Sequence, residues 1–140
     1  MARPSRELKG IAQIAALAAL ARRREASLRA AVTKAMQALD AARATEETRR
    51  RTCEAQRRRW HEALARGGVY GQRALGAASQ CVEAERAKLV DAVSAQDAAA
   101  AHTAQSQSDL QVQRALLQEN ARKQEKLREL LASLQASPRA

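Results

Sequence analysis

The sequence contains no phenylalanine, and Trp60 and Tyr70 are its only aromatic residues. A globular core is built from large side chains, each buried Leu or Phe contributing roughly 1.5–3 kcal/mol. With so few to bury, the composition disfavours a compact globule. Proline is confined to Pro4 and Pro138, so nothing between them forces a helix to stop. The five glycines leave the interior almost untouched: Gly10 stands near the start, and Gly67, Gly68, Gly71 and Gly76 gather at the midpoint. Two cysteines, Cys53 and Cys81, are too few for a disulfide framework and fit no zinc spacing. Two reduced thiols in a reducing compartment are therefore expected, although a bridge between them is conceivable in a hairpin. No apolar run reaches the roughly 20 residues that a transmembrane helix requires. The apolar stretch 11–21 superficially resembles a short signal peptide. Glu7 precedes it, alanine dominates it and Arg22, Arg23 and Arg24 follow it, all of which argue against export.

What remains is rich in helix formers. A quarter of the chain is alanine, and Arg, Glu, Gln and Leu supply much of the rest. Such a composition points to long helices or a coiled coil. Hydrophobic periodicity makes the reading specific. In the first half, steps of three and four connect Ile11, Ile14, Ala18, Ala21, Glu25, Leu28, Val32, Ala35, Leu39, Ala42, Glu46, Arg49, Cys53, Gln56 and Trp60. In the second half they connect Leu75, Ala78, Val82, Glu85, Leu89, Ala92, Gln96, Ala99, Thr103, Ser106, Leu110, Gln113, Leu117, Asn120, Gln124, Leu127, Leu131 and Leu134. A 3.5-residue repeat sustained this long is a coiled-coil seam. Arg66-Gly-Gly-Val-Tyr-Gly-Gln72 is the one strong break.

The expected fold is therefore all-α: a long antiparallel two-helix coiled-coil hairpin forming a single domain over residues 1–140. Helix 1 should run over about 6–65, with Ser5 as its cap, the turn over 66–72 and helix 2 over about 73–136. Folding about Gly67 and Gly68 makes the numbers of facing residues sum to roughly 135. Trp60 would then meet Leu75, Cys53 would meet Val82, Leu39 would meet Gln96, Val32 would meet Thr103 and Ala18 would meet Leu117. Polar layers in the middle fix register at a cost in stability.

Charge is placed unevenly. The chain carries a formal net charge of +10, and nearly all of the excess lies in residues 1–66. Arg22, Arg29, Arg43, Arg50 and Arg57 recur at multiples of seven, a basic stripe flanking the seam. Such a stripe is either an electrostatic footprint for an acidic surface or for phosphates, or a solvated face. No reading motif and no paired aromatics for base stacking accompany it, which disfavours nucleic acid.

No constellation carries catalysis. His61 and His102 stand alone without Cys or Asp at ligand spacing, so no metal is expected. Gly67–Gly71 are not followed by Lys-Ser/Thr, so no phosphate loop forms and no cofactor is implied. Candidate sites are instead protein-binding. Trp60, Val69, Tyr70 and Leu75 gather at the turn, and Trp and Tyr are the commonest interface anchors. At the paired chain ends, Ile11, Ile14, Leu17 and Leu20 lie on one side and Leu127, Leu130, Leu131 and Leu134 on the other. Leu17, Leu20, Leu116 and Leu130 fall off the seam, giving an apolar surface wider than two helices need.

Two near-equal helices, the glycine turn at 67–71, the Arg-rich first helix and the apolar paired ends give a layout that resembles the FliJ and YscO type of central stalk protein of type III secretion export ATPases. The Ala- and Arg-rich style is most similar to the Hrp-type injectisome members. The resemblance implies a cytoplasmic stalk, working at the cytoplasmic face of the inner membrane without inserting into it. One end would sit at the pore of the export ATPase hexamer and the other at the cytosolic ring of the export gate, with secretion chaperones as further partners. The isolated protein is expected to be a monomer. The alternatives are a basic coiled coil binding nucleic acid and a homo-oligomeric structural coiled coil.

Overall fold

The computed structural model describes the backbone of residues 3–66 and 72–136, and the side chains of residues 6–66 and 74–136. The described residues form two helices: α1, Arg3–Ala65, and α2, Gln72–Ala136. They pack against each other as an all-α helical hairpin. The expected turn residues Gly67, Gly68, Val69, Tyr70 and Gly71 lie outside the described residues. Helix α1 closes at Ala65, and the Arg66 backbone N–H still donates to the Glu62 carbonyl at 3.1 Å. Helix α1 begins at Arg3, two residues before the expected cap at Ser5. Pro4 permits this, because a proline in the first helical turn gives up only an N–H that would have no helical partner. Helix α2 stops at Ala136, just ahead of Ser137 and Pro138.

Burial follows the heptad repeat. Leu28, Leu39, Ala42, Cys53, Ala99 and Leu110 are the buried apolar residues, and Gln56, Ser106, Asn120 and Gln124 are the buried polar ones. Each of these ten stands on the 3-4 series read from the sequence. Three members of the series are exposed instead: Arg49 in mid-helix, Leu75 near the start of α2 and Leu134 near its end. Arg49 has a stem long enough to carry its charge out to water from a seam-side position. Leu75 and Leu134 lie near helix ends.

The hairpin divides into two compact units. One comprises Met1–Met36 with Ser108–Ala140, and the other Gln37–Gln107. In the first, the Asn120 amide donates to the Ala21 carbonyl at 3.0 Å, and the Gln124 amide donates to the Glu25 carboxylate at 2.9 Å. In the second, the Gln56 amide donates to both the Glu85 carbonyl, at 3.1 Å, and the Glu85 carboxylate. These partners' numbers sum to 141, 149 and 141, not to 135. The sums exceed 135 by 6, 14 and 6, so the expected pairings of Trp60 with Leu75, Cys53 with Val82, Leu39 with Gln96, Val32 with Thr103 and Ala18 with Leu117 are offset by about one to two heptads.

A shift of seven leaves the apolar seam in phase, so the polar residues decide between registers. In the observed one Asn120 lies beside Ala21, whose small side chain leaves its carbonyl open. One heptad away the same amide would face Ile14, whose branched side chain covers the backbone. Gln56 would likewise meet Ala78 and lose the Glu85 carboxylate. A buried amide without a partner costs about 1–3 kcal/mol, enough to select a register.

Cys53 is 2% exposed within the seam, whereas Cys81 is exposed, and both are free thiols.

Candidate protein-docking groove

The heptad frame assigns each surface residue to an edge of its helix pair. Taking the buried series as positions a and d, Arg22, Arg29, Arg43, Arg50 and Arg57 all fall at position e of α1. Each is exposed. Two are engaged by carboxylates of their own helix: Arg29 by Glu25 at 2.7 Å, and Arg50 by Glu47. Such (i, i+3) and (i, i+4) pairs contribute about 0.2–0.5 kcal/mol to a helix. Arg22, Arg43 and Arg57 have no ion-pair partner among the described residues. The stripe thus presents net positive charge on both units.

The seam carboxylates are held in their charged forms. Glu25 sits below its ordinary pKa because the Gln124 amide donates to it across the pair, with Arg29 adding a second hydrogen bond from one turn along α1. Glu85 is lowered chiefly by the Gln56 amide, then by Lys88. Glu47, on the outer side, is lowered chiefly by Arg50.

At the chain ends the structure separates two kinds of leucine. Ile11, Ile14, Leu127 and Leu131 are half-buried between the helices. Leu17, Leu20 and Leu130 are more than half exposed, and Leu134 is exposed as well. Leu17 and Leu20, with Ala21 and Arg24 of α1 and Asn120, Lys123, Lys126 and Leu127 of α2, line an open groove of about 400 Å³. Its floor is apolar and its three charged residues are all cations. Lys123 lies 3.6 Å from Glu119; Arg24 and Lys126 have no ion-pair partner among the described residues.

The turn cluster is only partly in view. Val69 and Tyr70 lie outside the described residues. Trp60 is half-buried, its ring 5.3 Å from that of His61 and tilted by 43°. The indole N–H is shielded from solvent and has no hydrogen-bond partner among the described residues. Leu75 is 59% exposed. Trp60 is thus the more covered of the two.

Among the described residues no group of three or more His, Cys, Asp or Glu side chains is placed to hold a metal ion. Nor is any described helix long and apolar enough to cross a membrane.

No protein-family model matches the chain, and no curated protein or solved structure is significantly similar to it.

Proposed function

We propose that this chain is a non-enzymatic stalk or adaptor of a bacterial type III secretion system, joining an export ATPase hexamer to the cytosolic ring of the export gate and promoting protein export. The observation that carries the reading is the helical hairpin itself: two near-equal helices, 63 and 65 residues long, with the basic excess on the first. The side chains left uncovered support it. A two-helix coil satisfies its a and d positions and has no use for exposed Leu17, Leu20 and Leu130, nor for a row of arginines on one edge. Both features suit a chain that completes its surface against other proteins.

On this proposal the paired ends, with Ile11, Ile14, Leu127 and Leu131 between the helices and Leu17, Leu20, Leu130 and Leu134 outside them, engage the ATPase. The turn end, with Trp60, Val69, Tyr70 and Leu75, engages the gate. Secretion chaperones compete for the exposed faces. Co-expression with an export ATPase encoded in the same gene neighbourhood tests the assignment. A stable complex that stimulates ATP hydrolysis is expected, weakened by charge reversal of the stripe members in the chain-end unit, Arg22→Glu with Arg29→Glu, at unchanged helicity. Absence of a complex at micromolar concentrations would overturn the stalk reading.

A second reading has an observation of its own. Arg22, Arg43 and Arg57 have no carboxylate partner among the described residues and stand at heptad multiples, so they could track phosphates. Retention of DNA or RNA whose affinity falls steeply on a log–log plot against salt would favour a nucleic-acid-binding coiled coil.

A further inference from the structure

Residues one place before the buried a and d positions form positions g and c, and near the chain ends these make a second stripe. On α1 it runs Gln13, Leu17, Leu20, Arg24; on α2 it runs Leu116, Glu119, Lys123, Lys126, Leu130. In an antiparallel pair the g edges of the two helices lie side by side. The groove bears this out, because Leu17, Leu20 and Arg24 line it together with Lys123 and Lys126. Leu116 and Leu130 stand one heptad to either side of Lys123 and extend the stripe to about 21 Å at 1.5 Å per residue. Leucines on a second stripe beside the seam, Leu17 and Leu20 on α1 and Leu116 and Leu130 on α2, let each helix pack against two neighbours at once, and among the described residues each has only one.

We propose that this groove is the seat of a third helix, supplied by a partner protein, amphipathic and acidic, with aliphatic residues at 3-4 spacing flanked by Glu or Asp. The proposal rests on the reading that the hairpin binds other proteins, and it is independent of which secretion component that is. The aliphatic half of the recognition is Leu17, Leu20 and Leu127, with Leu130 beyond. The acidic half follows from Arg24, Lys123 and Lys126 and from the absence of any carboxylate lining the groove. The same charges argue against a second copy as the occupant. Self-association through this face would bring two sets of three cations together, and like charges placed opposite each other are destabilising.

The test uses the full-length chain and three synthetic 21-residue helical peptides, each with leucine at a and d. Their e and g positions are all Glu, all Gln or all Lys. Fluorescence anisotropy at low and at physiological salt reads the affinities. The Glu peptide should bind at least tenfold more tightly than the Gln peptide, and the Lys peptide should not bind. Lys123→Glu with Lys126→Glu should weaken the Glu peptide at least tenfold and admit the Lys peptide, at unchanged circular dichroism. Leu20→Gln, which alters an exposed side chain, should weaken the Glu and Gln peptides alike. Equal affinity for all three peptides, or binding by the Glu peptide that survives both groove variants, would overturn the proposal. So would concentration-dependent dimerisation abolished by Leu20→Gln, because that makes the occupant a second copy. Binding of the Glu peptide alongside failure to associate with an export ATPase would discard the secretion assignment and keep the groove.

Discussion

Asn120 concentrates the register argument in one side chain, and replacing it separates stability from specificity. The residue is 3% exposed at a d position and donates to the Ala21 carbonyl. In Asn120→Ala that hydrogen bond, worth about 0.5–1.5 kcal/mol net, is lost. The Ala21 carbonyl still accepts from its own helix, so no buried acceptor is orphaned. Together with the small void left by truncation, the expected loss is about 1–2 kcal/mol. Asn120→Leu loses the same hydrogen bond but buries an isobutyl group worth roughly 1.5–3 kcal/mol. The facing residue is alanine, so the added bulk meets no large neighbour and overpacking is minor. The net is a gain of about 1 kcal/mol. Urea denaturation followed by circular dichroism should place the Leu variant above, and the Ala variant below, the parent midpoint. A chain freed of this constraint should also populate the heptad-shifted register. Disulfide trapping reads that in a Cys81→Ser background. Cys53 should pair with a cysteine introduced at Leu89 in the parent, and with one at Val82 only when Asn120 is leucine. A Leu variant less stable than the Ala variant, or trapping at Val82 in the parent, would refute the reasoning.

The other predictions concern packing and pH. Leu28→Ala and Leu110→Ala remove buried side chains from the first unit and should each cost about 2–5 kcal/mol, read from the same denaturation curves. Exposed Leu20→Ala should change stability by less than about 0.5 kcal/mol. Glu25 and Glu85 titrate below the ordinary value of 4.5 in the folded chain. Their hydrogen bonds therefore stabilise the fold fully above that pH and are lost as pH falls through the lower folded values. The melting temperature should drop below about pH 4.5, and Glu25→Gln with Glu85→Gln should flatten that dependence in thermal scans from pH 6 to 3.

The fold was legible because one signal persists over the whole chain. Steps of three and four pick out Leu28, Leu39, Cys53 and Leu110, and equally the polar Gln56, Ser106, Asn120 and Gln124, which hydropathy alone would have sent to the surface. The break was legible because Gly67, Gly68 and Gly71 crowd a sequence otherwise poor in glycine. Register was not legible, for a physical reason: a heptad repeat is degenerate under shifts of seven. The choice rests on which polar groups find partners. Gln124 reaches Glu25 because side chains lean toward the N-terminus of their own helix, and in an antiparallel pair the two lean toward each other. Sequence spacing does not display that reach. Trp60 stands on the a/d series read from the sequence and is half-buried there.

The off-seam leucines show how far periodicity carries toward a site. Leu17, Leu20, Leu116 and Leu130 stand out in the sequence as apolar residues one place off the seam, which says that something more than the opposite helix covers them. What covers them depends on charge, and charge becomes informative only once the helices are paired. Arg24 belongs to a run of three arginines that the sequence leaves open between an electrostatic footprint and a solvated face, and Lys123 and Lys126 lie a hundred residues away among alternating charges. Pairing the helices puts these three cations around one apolar floor, with Glu119 of the same stripe beside Lys123 at 3.6 Å and the other nearby carboxylates turned away. Glu25 points into the seam toward Gln124, and Glu125 pairs with Arg128. The near-neutral second half thus contributes two of the three cations that line the groove. A partner acidic on one face and aliphatic beside it matches that rim, whereas an uncharged apolar helix leaves Arg24 and Lys126 to be desolvated without compensation. Truncating both cations, as Arg24→Ala with Lys126→Ala, should therefore raise affinity for the Gln-flanked peptide while lowering it for the Glu-flanked one. A loss of affinity for both peptides would mean that the cations serve the floor through their aliphatic stems, not the rim through their charge.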